Sequence, residues 1–239
     1  MPSHSRGDLK DCGKHIMKPQ MQLSPVRAQE DIESFLKKDF ITNLIREEFP
    51  QSFLVGGYIR DLFLGKTSND RDYVIQGRFQ SRKVQRLSKA LGGSFFVLKN
   101  LVRFVLEKDN EIDIVFTEEP IETDLSKRDF TINSLAWSHD TGLIDPFNGV
   151  NDIMTRTIRA ISEKNLASDP LRILRAYRLA AEIDGRIEPS TRKALSRLRP
   201  LLKKVPSERL TSEMIKLLNL PEPQPYIKMA VNDSIFSIV

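Results

Sequence analysis

The chain has 239 residues, of which 40% are hydrophobic and 29% are charged, a balance typical of a globular protein with a sizeable core. No apolar run approaches the roughly 18 to 20 residues of a membrane-spanning helix, so we expect no membrane segment. The single cysteine, Cys12, excludes an internal disulfide, so we expect a cytoplasmic, reducing location. The formal net charge of +5 favours an anionic partner, such as nucleic acid or a nucleotide, although an ordinary basic protein fits it equally well.

Residues 1–28 differ from the rest of the chain, because they combine scattered basic residues and prolines with no hydrophobic periodicity. We therefore expect a mobile tail there. The tail lacks the apolar core of a secretory signal. After it, apolar residues recur at helical spacing between positions 30 and 49 and predict one or two helices.

As far as about residue 150, short apolar runs separated by glycines and polar stretches predict a mixture of helices and strands. The predicted strands are 52–55, 72–76, 94–98, 101–107 and 111–116, the last two forming a hairpin, and the predicted helices are 58–64 and 81–91.

Beyond residue 150 the pattern changes to helices, with no convincing strand. The predicted helices are 169–183, 189–204 and 207–218. We therefore expect an α+β fold, with a catalytic head over residues 29–150 and an all-helical neck over residues 151–239.

The strongest chemical pattern lies in 56-GGYIRDLFLGKTSNDRDYVI-75. Asp70 and Asp72 are two residues apart near the start of a predicted strand, so their side chains should point to the same face. Two carboxylates that close repel unless a cation lies between them, and Mg²⁺ prefers carboxylate oxygens together with substrate phosphates. The Gly56-Gly57 turn before a helix would offer backbone N–H groups to a phosphate. Either pattern alone is usually a solvated turn, whereas the two together indicate a metal pair beside a phosphate site.

A metal cluster of this kind needs a third acid, and Asp113 in the apolar strand EIDIVF is the obvious candidate. An acid among Ile112, Ile114 and Val115 is costly to bury without a partner. A charge on an edge strand that faces water would explain Asp113 equally well.

Together with four later segments, the glycine and aspartate pattern resembles the class II tRNA nucleotidyltransferase and bacterial poly(A) polymerase family of the polymerase-β superfamily. The later segments follow the family's order: 124-DLSKRDFTINSLAW-137, 144-IDPFNGVNDI-153, 168-SDPLRILRAYRLA-180 and 206-PSERLTSEMIKLL-218. The resemblance covers roughly residues 50–220. It implies a polymerase-β-type head, built from a mixed sheet with helices, followed by an all-helical neck that binds the nucleotide base and RNA.

The resemblance also implies a role for each matching residue. Asp70 and Asp72 would hold two catalytic Mg²⁺ ions, and Asp113 would be the third catalytic acid. A turn on the triphosphate side would be formed by Gly56, Gly57, Arg60 and Asp61. The nucleotide pocket would be lined by Arg128 near the phosphates, Asn133 near the sugar, and Asp129. Asp169 and Arg172 would read the base, and Arg175 and Arg178 would contact the nucleotide or support its pocket.

The spacing of Asp169 and Arg172 fits base reading, because residues three apart are neighbours on one face of a helix. A carboxylate can accept the amine that cytosine and adenine present, and a guanidinium can donate to a ring nitrogen or carbonyl. The alternative is structural: Asp169 followed by Pro170 is a good N-cap and first-turn pair, which explains the acid without any ligand.

The chain departs from the family's pattern in three places. Ser168 stands where the family usually has Glu, which bears on the positioning of Arg172. Only TEEPIET (117–123) occupies the place of a long flexible loop that enzymes building a full CCA end carry, and enzymes that add two cytidines lack that loop. Family members also continue beyond the point that matches Val239, so we expect a missing C-terminal body, a minimal enzyme or a homo-oligomer.

The resemblance therefore implies a template-independent RNA nucleotidyltransferase that adds CTP and/or ATP to the 3′ end of an RNA, with tRNA as the expected primer. A bacterial poly(A) polymerase and a non-catalytic RNA- or nucleotide-binding relic remain open as alternatives. Lys203, Lys204 and the arginines within residues 192–199 would meet RNA phosphates.

Overall fold

The computed structural model of the chain describes residues 24–106 and 110–238. It contains two compact units. The first comprises the residues up to Asp124 together with Leu135–Asp145, and the second comprises Leu125–Ser134 together with the residues from Pro146 onwards. The division into a head over residues 29–150 and a neck over residues 151–239 stays a prediction.

The first helix, α1 (Pro25–Lys38), begins inside the predicted tail. The Ser24 hydroxyl accepts the backbone N–H of Arg27 at 3.4 Å, and Pro25 supplies the fixed dihedral of a first helical position. Ala28 is fully buried. The predicted end of the tail at residue 28 is therefore wrong, and the rest of that prediction, together with Cys12, lies outside the described residues.

The first unit is built on a mixed sheet of seven strands: β1 (Ser52–Val55), β2 (Asp70–Gln76), β3 (Ser94–Leu98), β4 (Leu101–Val105), β5 (Glu111–Thr117), β6 (Ala136–Ser138) and β7 (Gly142–Ile144). Their order in the sheet is β3-β4-β5-β2-β1-β6-β7. Strands β2 and β5 run parallel, and the other neighbours run antiparallel. The antiparallel pairing of β4 with β5 confirms the predicted hairpin.

The helices of the first unit bury their apolar faces in the unit's core. After α1 come α2 (Phe40–Glu48), α3 (Gly57–Phe63), α4 (Ser81–Leu91) and α5 (Ile121–Ser126), whose last residues belong to the second unit. Asp39 separates α1 from α2, which confirms two helices in the predicted helical stretch. Phe63, Tyr73 and Phe104 are among the largest fully buried side chains of this core.

The second unit is mainly helical: α6 (Gly149–Met154), α7 (Glu163–Ser168), α8 (Arg172–Glu182), α9 (Pro189–Leu198), α10 (Ser207–Leu218) and α11 (Gln224–Asn232), with 3₁₀ helices at Thr131–Asn133, Arg199–Lys204 and Ile235–Ile238. It also contains two short parallel strands, β8 (Thr157–Ile158) and β9 (Arg186–Ile187). The expectation of no strand beyond residue 150 is therefore wrong, because strands of two residues are too short to show an alternating pattern.

The mixed sheet with helices, accompanied by a mainly helical unit, confirms the α+β fold class. Within the two described ranges, no helix has both the length and the apolar character needed to cross a lipid bilayer.

Candidate functional site

Strand β2 carries Asp70 and Asp72 at its amino-terminal end. Burial alternates along this strand: Asp70 and Asp72 are exposed, whereas Arg71 and Tyr73 are buried. Because successive strand residues point to opposite faces, the two carboxylates project from the same face of the sheet.

Strand β5 adds two more acids to this face. In the parallel register of β2 and β5, Asp70 lies opposite Glu111 and Asp72 lies opposite Asp113. These four residues, Asp70, Asp72, Glu111 and Asp113, are called the acidic face below. Glu111 did not emerge from the sequence, although its spacing of two residues from Asp113 within a strand indicates that both side chains share a face.

Arg103 on β4 binds the acidic face. It lies opposite Asp113 in the antiparallel register, and its guanidinium donates from Nε to Oδ1 at 2.7 Å and from Nη2 to Oδ2 at 2.6 Å. Its Nη1 lies 3.1 Å from Oε2 of Glu111. Both oxygens of Asp113 are thus engaged by one cation.

The position of β5 and the ion pair with Arg103 bear on the prediction that Asp113 is the third catalytic acid. Strand β5 lies between β4 and β2, so the explanation of Asp113 as a charge on an edge strand is wrong. Among the described residues, no group of three His, Cys, Asp or Glu side chains is arranged to hold a metal ion. The register beside Asp72 suits a third catalytic acid, whereas the ion pair with Arg103 opposes it, and this role of Asp113 stays a prediction.

The Gly56-Gly57 turn connects β1 to α3. Gly56 has φ +76° and ψ −133°, a conformation that glycine adopts without steric cost. Its N–H donates to the Leu135 carbonyl at 3.0 Å, so the expectation that this N–H is available to a phosphate is wrong. Arg60 and Asp61, both buried, form an ion pair with 2.9 Å between Nη2 and Oδ1. Their role and that of Gly57 on the triphosphate side stay predictions.

A buried ion pair lies below the two exposed acids of β2. Arg71 donates to Asp39 from Nη1 at 2.5 Å and from Nη2 at 3.1 Å, and its guanidinium carbon is 4.4 Å from the ring centre of Tyr58. Asp39 also accepts the Thr42 N–H at 2.9 Å and so caps α2. Burial would raise the pKa of Asp39, but the charge of Arg71 and the hydrogen bonds from Arg71 and Thr42 hold it below its ordinary value. Arg71 therefore ties β2 to both α2 and α3.

In the second unit, Asp129 binds two other predicted nucleotide residues, Asn133 and Arg175. Its buried carboxylate accepts the Asn133 amide at 3.0 Å, Nη1 of Arg175 at 3.2 Å and the Phe130 N–H at 2.8 Å. Burial would raise the pKa of Asp129, but the charge of Arg175 and these hydrogen bonds lower it, so the group is held as a carboxylate. Nη1 of Arg128 donates to the Asn133 carbonyl at 3.4 Å.

Asp169 and Arg172 lie close in sequence but do not share a helical face. Helix α8 begins at Arg172 with Leu171 as its N-cap, whereas Asp169 ends α7. Both the helical pairing and the N-cap explanation of Asp169 are therefore wrong. The Asp169 carboxylate instead accepts Nη2 of Arg209, on α10, at 3.0 Å.

Arg172 is anchored on backbone carbonyls. Its Nη1 donates to the Lys127 carbonyl at 3.0 Å and to the Asn165 carbonyl at 3.1 Å. Its Nε is buried and has no hydrogen-bond partner within the part of the chain that the structure describes, and the same holds for Nε of Arg175. The guanidinium of Arg172 is thus fixed in place.

Helix α10 contributes two residues that sequence reasoning missed, Arg209 and Glu213. Glu213 is buried and accepts Nε of Arg178 at 2.5 Å, and it lies 3.9 Å from Nε of Arg175. Arg178 also donates to Glu182 at 2.5 Å, so its guanidinium is bound to two acids of its own unit. The spacing of four residues between Arg209 and Glu213 was the available signal, because it places both on one side of a helix.

The basic residues expected to meet RNA fall into two classes. Arg192 binds Asp233, and Arg197 binds Glu163. Lys203 and Lys204 are exposed, and neither has an ion-pair partner among the residues described here. Arg199 of the same set donates to the Ser196 carbonyl at 2.7 Å and likewise has no ion-pair partner in the described ranges, so the charges of Arg199 and the two lysines are uncompensated.

Two family models match the chain. Residues 102–159 match a model described as the poly A polymerase head domain, and residues 186–239 match one described as a probable RNA and SrmB-binding site of polymerase A.

The chain is similar to curated and structurally characterised proteins over most of its length. It is 38% identical to a CC-adding tRNA nucleotidyltransferase of Geobacter sulfurreducens, covering 78% of this chain and 45% of that protein. It is 31% identical to a CCA-adding enzyme of Leuconostoc mesenteroides subsp. mesenteroides, covering 86% of this chain and 55% of that protein. The structure of the Thermotoga maritima CCA-adding enzyme complexed with tRNA-CCA matches with a TM-score of 0.73 at 27% identity, covering 95% of this chain and 54% of that one.

The chain thus spans about half the length of the curated relatives it matches. The structural likeness confirms the expected fold, a head with a mixed sheet and a helical neck.

Proposed function

Because this chain belongs to the tRNA nucleotidyltransferase and bacterial poly(A) polymerase family, we propose that it is a template-independent RNA nucleotidyltransferase. In the proposed reaction, the 3′-hydroxyl of an RNA, with tRNA as the expected primer, attacks the α-phosphate of CTP or ATP, and pyrophosphate leaves. The observation that carries this proposal is the pair of exposed carboxylates, Asp70 and Asp72, on one face of β2.

Nucleotidyltransferases of this family generally use divalent metals. The donor set on β2 fits such ions, because it offers exposed carboxylate oxygens from two side chains on one face, which are the ligands that Mg²⁺ prefers. Asp70 and Asp72 would hold two Mg²⁺ ions. When bound, such ions lower the pKa of the attacking hydroxyl and neutralise the triphosphate.

The residues of the second unit would bind and orient the nucleotide. Arg172 is held by two backbone carbonyls, which fixes the plane of its guanidinium as recognition of a base edge requires. Arg209 fixes one oxygen of Asp169, and the other oxygen would accept the exocyclic amine of cytosine or adenine. Asp129 would orient Asn133 and Arg175 toward the nucleotide.

The connection between β5 and α5 supports CTP as the preferred nucleotide. Only residues 118–120 separate the two elements, the Thr117 hydroxyl accepts the Glu119 N–H at 3.0 Å, and Ile121 is buried. Such a short, hydrogen-bonded connection cannot supply the movement that the flexible loop of full CCA-adding enzymes provides. We propose that the protein adds two cytidines and uses ATP poorly on a tRNA that ends in CC.

Of the two alternatives, a poly(A) polymerase gains no support from the relatives, whose names are CC-adding or CCA-adding enzymes. A non-catalytic relic has no chemical need for paired acids on an exposed strand face, so the acid pair opposes that alternative.

The test is a primer-extension assay with tRNA that ends at the discriminator base, at CC or at CCA. Each tRNA is incubated with one labelled nucleotide, and the lengths of the products are read. We expect two cytidines on the first tRNA and little extension of the second with ATP. Tracts of many adenosines would establish the poly(A) polymerase instead, and no incorporation on any primer would favour the relic.

A further inference from the structure

The acidic face brings four carboxylates together in two register pairs, Asp70 with Glu111 and Asp72 with Asp113. Neighbouring strands in a sheet lie about 4.8 Å apart. At that separation like charges repel unless a cation offsets them. A sheet with this face therefore needs a positive charge even when no metal ion is bound.

Arg103 supplies such a charge from the next strand. Its guanidinium binds both oxygens of Asp113 and one oxygen of Glu111, and its side chain is 35% exposed. The hydrogen bond to Asp113, followed by the charges of Asp113, Glu111 and Asp70, raises the pKa of Arg103. Three of the four acids therefore act on this one guanidinium.

A fixed cation at this place has two physical effects. It offsets the repulsion within the acidic face, which stabilises the first unit. It also repels any other cation that approaches the same carboxylates, and it engages the Asp113 oxygens that would otherwise be open to a metal ion.

We propose that Arg103 is the protein's own counter-cation for the acidic face, which stabilises the sheet without metal and weakens the binding of free divalent cations to Asp70 and Asp72. The inference rests on the proposed function, because it takes those two acids as the metal ligands. It makes occupancy of the metal site depend on a residue outside the family motifs quoted above.

The experiment uses Mn²⁺ alone as the probe, with no nucleotide, and measures free Mn²⁺ by electron paramagnetic resonance. Removing one positive charge close to the site should make Arg103→Met bind Mn²⁺ about fivefold more tightly than wild type. Arg103→Gln, a second neutral variant, should show the same change. Arg103→Lys keeps the charge and should stay near wild type. Arg86→Met removes a similar two-pronged ion pair, with Glu48, and should leave the Mn²⁺ affinity unchanged.

Thermal unfolding provides the second readout. Without metal, Arg103→Met and Arg103→Gln should melt below wild type, and saturating Mn²⁺ should raise their midpoints more than it raises the wild-type midpoint. Adding Asp72→Asn to either variant should abolish both the tighter Mn²⁺ binding and the larger rise of the unfolding midpoint. An unchanged or weaker Mn²⁺ affinity in the neutral variants, or a gain that persists with Asp72→Asn, would overturn the proposal.

The two proposals fail in different ways. If wild type extends tRNA but the neutral variants bind Mn²⁺ as wild type does, the role of Arg103 is wrong and the nucleotidyltransferase stands. If wild type shows no incorporation on any primer, the function is wrong whatever the Mn²⁺ measurements give.

Discussion

The Arg71 guanidinium holds the Asp39 carboxylate through two nitrogens, at 2.5 Å and 3.1 Å, below the exposed acids of β2. Both residues are less than a tenth exposed. Because both charges have lost water, each depends on the other to remain charged in the core. The pair fixes the strand that carries Asp70 and Asp72 to the first turn of α2.

Arg71→Met should therefore lower the free energy of unfolding by about 3 to 5 kcal/mol, because it leaves the Asp39 charge buried without its partner. Urea denaturation of the variant checks this. Combining it with Asp39→Asn should restore part of the loss. Arg86→Met breaks an ion pair whose arginine is 59% exposed, so this control should cost far less stability than Arg71→Met. An equal loss in both arginine variants would contradict the buried-pair explanation.

Stability should fall in acid because of Glu188, which caps α9. Burial would raise the pKa of Glu188, but hydrogen bonds from Ser190 and Thr191 bring it to about 2. The unfolded carboxyl takes up its proton near pH 4.3, before the folded one. The contribution of Glu188 to the free energy of unfolding is therefore complete above about pH 4.3 and is lost as the pH falls toward 2.

The difference in unfolding free energy between wild type and Glu188→Gln should accordingly shrink between pH 5 and pH 2. Urea titrations at several pH values measure it. A difference that stays constant over this window would contradict the assignment. The pKa of Asp129 is also lowered, so the contribution of Asp129 to the free energy of unfolding should likewise be lost as the pH falls.

Asp70→Asn or Asp72→Asn should abolish nucleotide incorporation while the fold remains intact, because losing one of two like charges relieves repulsion. Primer extension and thermal unfolding of the same preparations check both parts. Asp140→Asn changes an exposed aspartate of the same unit and should leave turnover unchanged. Near-normal turnover in either β2 variant would refute the metal assignment.

Arg172→Ala should lower both the rate of CTP incorporation and the preference for CTP over UTP. Without the Arg172 guanidinium the base is no longer held in position against Asp169, so the ratio of the kcat/KM values for CTP and UTP is expected to fall by roughly tenfold or more. Arg172→Lys should remain impaired, since an ammonium lacks the planar fork. Lys216→Ala on the same unit serves as the control. An unchanged ratio in Arg172→Ala would remove this residue from base reading.

Binding of tRNA should be weak, in the micromolar range, and should decrease with added salt as phosphate contacts are lost. Lys203→Ala combined with Lys204→Ala should reduce the slope of log affinity against log salt by about two, because each lysine accounts for about one phosphate. Fluorescence anisotropy across a salt series measures the slope. Lys89→Ala, an exposed lysine of α4, should leave it unchanged. A salt-independent nanomolar complex would contradict this prediction.

The sequence predicted the parts of the molecule that follow from local patterns. Apolar runs located most helices and strands, and the spacing of Asp70 and Asp72 indicated a shared face, because such signals depend on neighbours in the chain. The buried role of Arg71 had a weaker local signal, since a residue between two outward-facing strand positions must point inward.

Partners that are distant in the chain could not be predicted. Asp39 lies 32 residues before Arg71, Arg209 lies 40 residues after Asp169, and no local rule joins them. Asp169 followed by Pro170 matched a helix start, but the chain begins α8 two residues later at Arg172, because α7 extends as far as Ser168.

The parallel pairing of β2 with β5 has a consequence for the order of folding. Arg103 and Asp113 are ten residues apart in a hairpin, a local contact that closes quickly. Asp72 reaches Asp113 only after the much longer connection through α4, β3 and β4 has closed, at a larger cost in chain entropy. We therefore expect the hairpin to form first, so that Asp113 already carries its guanidinium when β2 arrives. The Asp72 carboxylate would then approach Asp113 only after Asp113 is paired with a positive charge.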